Sequence, residues 1–186
     1  MSAQTAPGKL PRWLVIASVG RRPKWTFVRV AFMIVVSFVL LKYVLVPIRV
    51  EGVSMEPTYR TGQYNFINRL AYVHHGPRRG DVVGVPWYDK ARGHVLLLKR
   101  VVGLPGETIA FSQGTLCVNS VPVEEPYVKK RPNPRFVPPW EMPPVLLAPE
   151  EYYVVGDNRS MPIADHTKGQ FSLSYILGEV LWGAHP

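Results

Sequence analysis

The stretch from His94 to Val118, HVLLLKRVVGLPGETIAFSQGTLCV, carries the repeating pattern that decides the fold. Short runs rich in Val, Leu, Ile and Thr are separated by Pro105-Gly106 and Gln113-Gly114. Short runs of this kind, bounded by glycine and proline, are typical of β-strands joined by turns. The stretch therefore predicts strands at His94–Val102, Thr108–Phe111 and Thr115–Val118.

The same pattern continues on both sides of that stretch. Further short runs between turn signals predict strands at Tyr64–Asn68, Asp81–Trp87, Tyr152–Gly156 and Ile176–Leu181. The dipeptide Asn119-Ser120 predicts a tight hairpin turn. Because no long amphipathic helix is visible after Pro47, the sequence predicts a mainly β domain over residues 47–186.

A proline-rich segment interrupts this pattern. Residues 131–149 contain seven prolines. Proline lacks the backbone N–H that a central strand donates, so the segment predicts a long loop or an excursion at the edge of a sheet.

The basic charge of the chain is confined to its amino-terminal part. The sequence has 22 Lys and Arg against 13 Asp and Glu, a formal net charge of +9. Residues 1–46 hold seven of the basic side chains and no acidic one, whereas the rest holds 15 basic and 13 acidic residues. A nucleic-acid-binding protein would carry the excess on its folded domain, so this distribution favours a membrane and argues against nucleic acid.

The segment Trp25–Val46 is predicted to be a transmembrane anchor. Its 22 residues include only two charged side chains, Arg29 and Lys42, one near each end. A helix of that length spans about 33 Å, enough to cross the hydrocarbon core of a bilayer. The basic cluster before the span predicts that residues 1–24 are cytoplasmic and that residues 47–186 lie on the outer face of the plasma membrane.

Two other interpretations of the same segment are a buried core helix and a cleaved signal peptide. The segment shows no polar face between Val30 and Leu41, and no A-x-A-like cleavage site follows it. A shorter apolar run, Trp13–Gly20, is too short to span, and the sequence leaves open whether it contacts the membrane.

Two residues after the anchor have contexts that suit catalysis. Ser54 lies between a glycine and a proline in VEGVSMEPT, residues 50–58. A serine hydroxyl is a poor nucleophile until a base takes its proton. Lys99 ends an aliphatic run and, by strand alternation, faces away from Arg100. Burial lowers the pKa of a lysine from about 10.4, so Lys99 is a candidate base. A Ser-His-Asp arrangement stays open, although no histidine has a comparable context.

The sequences S-M-E-P-T, K-R-V-V-G-L-P-G-E and G-D-N-R, in that order, resemble the motifs of type I signal peptidases. These membrane-anchored serine proteases remove signal peptides from exported proteins. The resemblance implies a fold of coiled antiparallel β-sheets, with Ser54 as the nucleophile and Lys99 as the general base. It also implies that the Ser54 N–H helps to bind the oxyanion, and that Met55 and Leu98 line a pocket for small side chains.

The third motif departs from the family pattern after Gly156-Asp157-Asn158-Arg159. The family usually continues with a serine-rich segment ending in D-S-R, whereas this chain reads SMPIADHT over residues 160–167. Asp165 matches the acidic position, the paired arginine is absent and His166 takes the next place. We hypothesise that a backbone group, a water molecule or His166 orients Lys99. Asp157 and Arg159 are expected to stabilise the fold.

The sequence therefore predicts a membrane-bound serine endopeptidase that cuts exported precursors after small residues. We find no metal-ligand spacing and no phosphate-binding loop, so no cofactor or metal is expected. The predicted partners are signal-peptide-bearing precursors and the lipid bilayer. Two alternatives stay open: a Ser/Lys processing protease dedicated to the clients of a conjugation or pilus system, and an inactive membrane-tethered β domain that binds partners.

Overall fold

The computed structural model describes residues 23–91, 93–128, 139–166 and 169–182. The chain divides into two units, residues 1–42 and 43–186, which are described separately below.

The amino-terminal helical run is long and apolar enough to cross a membrane. Helix α1, Pro23–Val39, continues into a π-helical turn, Leu40–Val44. The span Lys24–Val44 has 21 residues, a mean hydropathy of 2.2 and no buried residue in its apolar window. The anchor was predicted to end two residues later, at Val46. The helical span ends at Val44 because Leu45 and Val46 pair with the next strand instead. The short apolar run Trp13–Gly20 lies outside the described residues.

The second unit consists of two antiparallel sheets, which confirms the predicted mainly β fold. In chain order the strands are β1 Leu45–Arg49, β2 Tyr64–Asn68, β3 Val82–Asp89, β4 Gly93–Gly103, β5 Thr108–Ser112, β6 Thr115–Val118, β7 Val121–Pro122, β8 Met142–Leu146, β9 Glu151–Val155, β10 Gln170–Ser172 and β11 Gly178–Val180. The larger sheet has the order β1-β2-β11-β3-β4-β9-β10, and the smaller has the order β7-β6-β5-β8.

Every predicted strand is present, with small shifts at its ends, but β1, β7, β8 and β10 are not among the predicted strands. Two of these four have sequences that are not typical of strands. One is β10, whose three residues include a single apolar side chain, Phe171. The other is β8, which contains Pro143 and Pro144 inside the proline-rich segment. Strand β8 lies at one edge of the smaller sheet and β7, with Pro122, lies at the other. Prolines are tolerated there because an edge strand leaves some N–H positions unpaired.

The predicted hairpin turn between β6 and β7 is also confirmed. Asn119 and Ser120 have φ angles of 50° and 68°. Two consecutive residues with positive φ form the turn whose twist matches that of antiparallel strands.

Strand β4 joins the three hydrophobic clusters of the domain. Leu98 packs with Met55 and Ile67 in the first cluster. Val102 belongs to the second, around Trp140 and Phe111. Val101 belongs to the third, with Val83 and Val154. Because both faces of β4 are covered around residues 98–102, a charged side chain at these positions is removed from water.

Candidate active site

Lys99 is buried on β4 among aliphatic side chains. Its residue exposure is 3%. Val83 is its register partner on β3, and Val101 lies two residues along on the same face. Burial lowers the pKa of Lys99 to about 8, and the negative charge of Asp157 opposes this shift. The neutral amine that a general base requires is therefore accessible near neutral pH.

Strand β4 has an open edge that ends at Lys99. On one side β3 pairs with β4 from Gly93 to Arg100. On the other side β9 pairs only from Arg100 onward. Within the described residues, no strand pairs with that second edge between Gly93 and Lys99. An extended peptide can add a strand at such an edge.

Ser54 lies in a turn that follows β1 and that is fixed by backbone hydrogen bonds and by the packing of Met55. Val50 donates its N–H to Gln63 O at 2.8 Å and accepts the Gly62 N–H at 2.8 Å, which fixes where the turn begins. Met55, next to the serine, is 2% exposed and packs in the first cluster. Ser54 itself is half-buried. The turn thus presents the serine hydroxyl while its neighbour anchors the backbone.

The third motif holds the backbone of the serine turn. The Asn158 N–H donates to Ser54 O at 3.0 Å, and Asn158 Nδ2 donates to Val53 O at 2.9 Å. Gly156 approaches so closely that an added Cβ would lie 2.2 Å from Ser54 O. Any side chain at residue 156 would therefore push this segment away from the serine turn.

His166 braces the same segment as a neutral imidazole. Its Nδ1 accepts the Gly156 N–H at 3.3 Å, and its Nε2 lies 3.1 Å from Asn158 O, to which it donates in the matching tautomer. Trp140 packs edge-on against the ring, with centroids 4.6 Å apart. Burial, aided by the nearby charge of Lys99, lowers the pKa of His166 to about 4. Because both ring nitrogens are engaged, neither is left to orient Lys99.

Asp157 forms a buried ion pair with Arg100. Arg100 Nε lies 2.9 Å from Asp157 Oδ1 and Nη2 lies 2.7 Å from Oδ2. Thr58 Oγ1 donates to the same carboxylate at 2.5 Å, and the Tyr127 ring lies 4.0 Å from the guanidinium carbon. These contacts agree with the structural role expected for Asp157.

Arg159 forms a second buried pair that the sequence did not predict. Its guanidinium contacts Glu125 at 2.9 and 2.5 Å, and its Nε donates to Gly156 O at 3.0 Å. Glu125 follows the short strand β7 in an irregular segment, where no motif marks an acidic residue as a partner. The only sequence signal was Arg159 itself, a cation that needs an acid if it is buried.

One cleft of about 720 Å³ brings together three of the four predicted site residues, Ser54, Lys99 and Leu98. Met55, the fourth, does not line this cleft. In the described part of the chain, no hydrogen bond joins the Ser54 hydroxyl to the Lys99 amine. Catalytic hydrogen bonds are often long before substrate binds and shorten in the substrate complex.

Comparison with known proteins gives the family. The family model described as "Signal peptidase, peptidase S26" matches residues 24–182. The chain also has a helix long and apolar enough to cross a membrane, and its β domain has a serine and a buried lysine in one cleft. The chain belongs to the signal peptidase family, peptidase S26, whose members are serine endopeptidases that remove signal peptides.

Similar proteins come from several bacteria. The chain is 33% identical over 128 residues to "Probable signal peptidase I-2" of Synechocystis, with 67% of this chain and 56% of that protein covered. It is 32% identical over 130 residues to "Signal peptidase I" of Bacillus licheniformis, with 68% of each covered. It is 30% identical over 155 residues to "Signal peptidase I V" of Bacillus subtilis, with 79% and 90% covered.

A solved structure is also similar. The crystal structure of a signal peptidase I from Enterococcus faecalis matches with a TM-score of 0.44 and 25% identity, over 56% of this chain and 97% of that one.

Proposed function

We propose that this chain is a membrane-anchored serine endopeptidase that removes signal peptides from exported precursors through a Ser54–Lys99 dyad. The observation that carries the proposal is the placement of Ser54 and Lys99 in one cleft, with the pKa of the lysine lowered to about 8 by burial. An ordinary surface lysine stays protonated at neutral pH and cannot act as a base.

In the proposed first step, Lys99 Nζ takes the proton of the Ser54 hydroxyl while Oγ attacks the carbonyl carbon of the scissile bond. The protonated Lys99 then gives its proton to the leaving amine, and the carbon–nitrogen bond breaks to leave an ester on Ser54. A water molecule, deprotonated by Lys99, hydrolyses that ester and regenerates the hydroxyl.

The Ser54 N–H is proposed to stabilise the oxyanion that forms during attack. Within the described residues it donates to no other acceptor. Asn158 fixes the carbonyl groups of Val53 and Ser54 and thereby the orientation of this peptide unit. A donor held in place before the reaction stabilises developing charge without reorganisation.

The precursor is proposed to bind as an extended strand along the open edge of β4, from Gly93 to Lys99. Main-chain hydrogen bonds to such an edge give affinity without a sequence requirement. Leu98 lines the cleft beside the dyad. We propose that it narrows the site so that small side chains precede the cut, and Met55 remains a predicted second wall.

We propose that the helix Lys24–Val44 anchors the protein in the plasma membrane, with the amino terminus in the cytoplasm. Arg21 and Arg22 precede the span, Lys24 is its first residue, and no acidic residue lies before it. Ser54 follows Val44 by ten residues, a tether of at most about 35 Å. The dyad would then act on the outer face, close to precursors embedded in the same bilayer.

The direct test is incubation of the full-length protein in detergent micelles with a signal-bearing precursor, followed by mass analysis. We expect one cut after a small residue just beyond the apolar segment, and none with Ser54→Ala. Cleavage that persists in Ser54→Ala would reject the serine mechanism, and an intact precursor would reject the function. Repeating the assay with unrelated precursors tests the dedicated-client alternative, which predicts that only one of them is cut.

A further inference from the structure

A second cleft lies beside the catalytic one and has no role in the proposed reaction. It measures about 540 Å³ and is lined by side chains of β3, β4, β9, β10 and the turn after β10. The side chains that matter here are Trp87, Tyr88, His94, Glu151, Phe171 and Tyr175. We call it the aromatic cleft.

The aromatic cleft adjoins the catalytic cleft and shares two lining residues with it. Trp87 and His94 line both of them. The Trp87 ring stands edge-on to Phe171 with centroids 6.2 Å apart, and Tyr88 stands edge-on to His94 at 5.3 Å. A peptide that follows β4 from Lys99 to His94 therefore arrives at the mouth of the aromatic cleft.

The strand spacing sets which substrate residue arrives there. His94 lies five residues before Lys99 along the open edge, and an extended chain advances about 3.3 Å per residue. A substrate residue roughly five to eight positions from the scissile bond can then enter the aromatic cleft.

The chemistry of the cleft favours a cation. Four aromatic rings line it together with one carboxylate, that of Glu151. Glu151 Oε2 accepts the Ala148 N–H at 3.0 Å, which fixes the carboxylate. Lysine and arginine side chains bind both aromatic faces and carboxylates. A purely apolar occupant would instead remove water from Glu151 without replacing its hydrogen bonds.

We propose that the aromatic cleft is a precursor subsite for a lysine or arginine side chain five to eight residues from the scissile bond. This proposal rests on the proposed function, since it takes the occupant to be the same polypeptide that the dyad cuts. It adds a specificity determinant at the far end of the catalytic cleft.

The test uses a series of peptide substrates in which one arginine is moved from position four to position nine on either side of the scissile bond. The reference peptide has glutamine at every one of these positions. With the full-length enzyme in micelles, we expect arginine to raise kcat/KM about tenfold within one window of positions, mainly through a lower KM. This gain, taken relative to the cleavage of the glutamine peptide by the same variant, should fall below twofold in Glu151→Gln.

Glu150→Gln is the matched control, because Glu150 is an exposed acid next in sequence that does not line the cleft. It removes the same charge and should keep the tenfold preference. A preference that is absent at every position, or that Glu151→Gln and Glu150→Gln reduce equally, would overturn the proposal.

A binding assay separates this proposal from the proposed function. The affinity of the same peptides for Ser54→Ala is measured by fluorescence anisotropy and needs no cleavage. If wild type cuts none of the peptides but Ser54→Ala binds the arginine peptide about tenfold tighter in a Glu151-dependent way, the subsite stands and the protease assignment fails. Equal binding of the arginine and glutamine peptides would reject the subsite whatever the enzyme cleaves.

Discussion

Lys99 and Arg100 are consecutive cations on one strand, almost equally buried, with opposite electrostatic surroundings. Their exposures are 3% and 1%. Burial alone would lower the pKa of Arg100, but hydrogen bonds and charge from Asp157 raise it overall. Burial lowers the pKa of Lys99 to about 8, and Asp157 offsets this only in part. Arg100 is buried against a carboxylate and stays charged, which suits a structural role. Lys99 is buried among aliphatic side chains and loses its proton more easily, which makes it a candidate base.

The largest expected effect is the loss of activity in Ser54→Ala and Lys99→Arg. A guanidinium keeps the charge of Lys99 but does not lose its proton at accessible pH, so it cannot serve as a base. We expect kcat/KM to fall by at least about 1,000-fold in each variant, as for other activated nucleophiles. Lys90→Arg, at an exposed lysine, is the matched control and should keep full activity. More than a tenth of wild-type activity in Lys99→Arg would exclude the dyad.

The second-largest expected effect is a loss of stability when Arg100 is replaced. Arg100→Met leaves Asp157, which is 0% exposed, without its counter-charge. Removing one member of a buried pair costs about 3–5 kcal/mol. We expect that loss in denaturant unfolding of the full-length protein in micelles. The double variant Arg100→Met with Asp157→Leu should recover part of it, and a loss below about 1 kcal/mol in the single variant would contradict a structural role for the pair.

Lys99→Met should raise the free energy of unfolding, whereas Arg100→Met should lower it. The pKa of Lys99 is lowered from 10.5 to about 8 on folding. The unfolded chain therefore binds the proton more tightly, and the native lysine destabilises the fold below pH 8 by roughly 3 kcal/mol. Lys99→Met should be more stable than wild type by up to that amount at pH 7. The difference should shrink as pH rises from 8 to 10.5 and vanish above that, where the lysine is neutral in both the folded and the unfolded chain. A less stable Lys99→Met at pH 7 would mean that the ammonium is well solvated.

The smallest effect concerns the brace on the serine turn. Asn158→Ala removes the hydrogen bond from Nδ2 to Val53 O and the two that Oδ1 accepts from Ser160, but it keeps the one from the backbone N–H to Ser54 O. Only the bond to Val53 O holds the serine turn, and its loss of about 1.5 kcal/mol corresponds to a kcat roughly tenfold lower. The pH at which activity is half-maximal should not move, because Lys99 is untouched. A shifted midpoint with unchanged kcat would show that Asn158 acts on the lysine instead.

Features of the site that depend on local sequence could be predicted, whereas features that depend on long-range contacts could not. The alternation of β4 was enough to place Lys99 and Arg100 on opposite faces, and the aliphatic run around Lys99 was enough to expect its burial. The ion pair of Arg159 with Glu125 could not be found, because its partners are 34 residues apart and join two irregular segments. The role of His166 was also missed, since it depends on where two backbone groups, Gly156 N–H and Asn158 C=O, converge.

The most direct test of the account is an NMR titration of the Lys99 amine in the full-length Ser54→Ala protein, with ¹⁵N-labelled lysine. The resonance is assigned by its absence in the Ser54→Ala, Lys99→Arg double variant. We predict a pKa of about 8 for Lys99, and in the wild-type enzyme a kcat/KM that rises with pH through the same value. A Lys99 pKa at the ordinary value near 10.4 would contradict the claim that aliphatic burial prepares this lysine as a base.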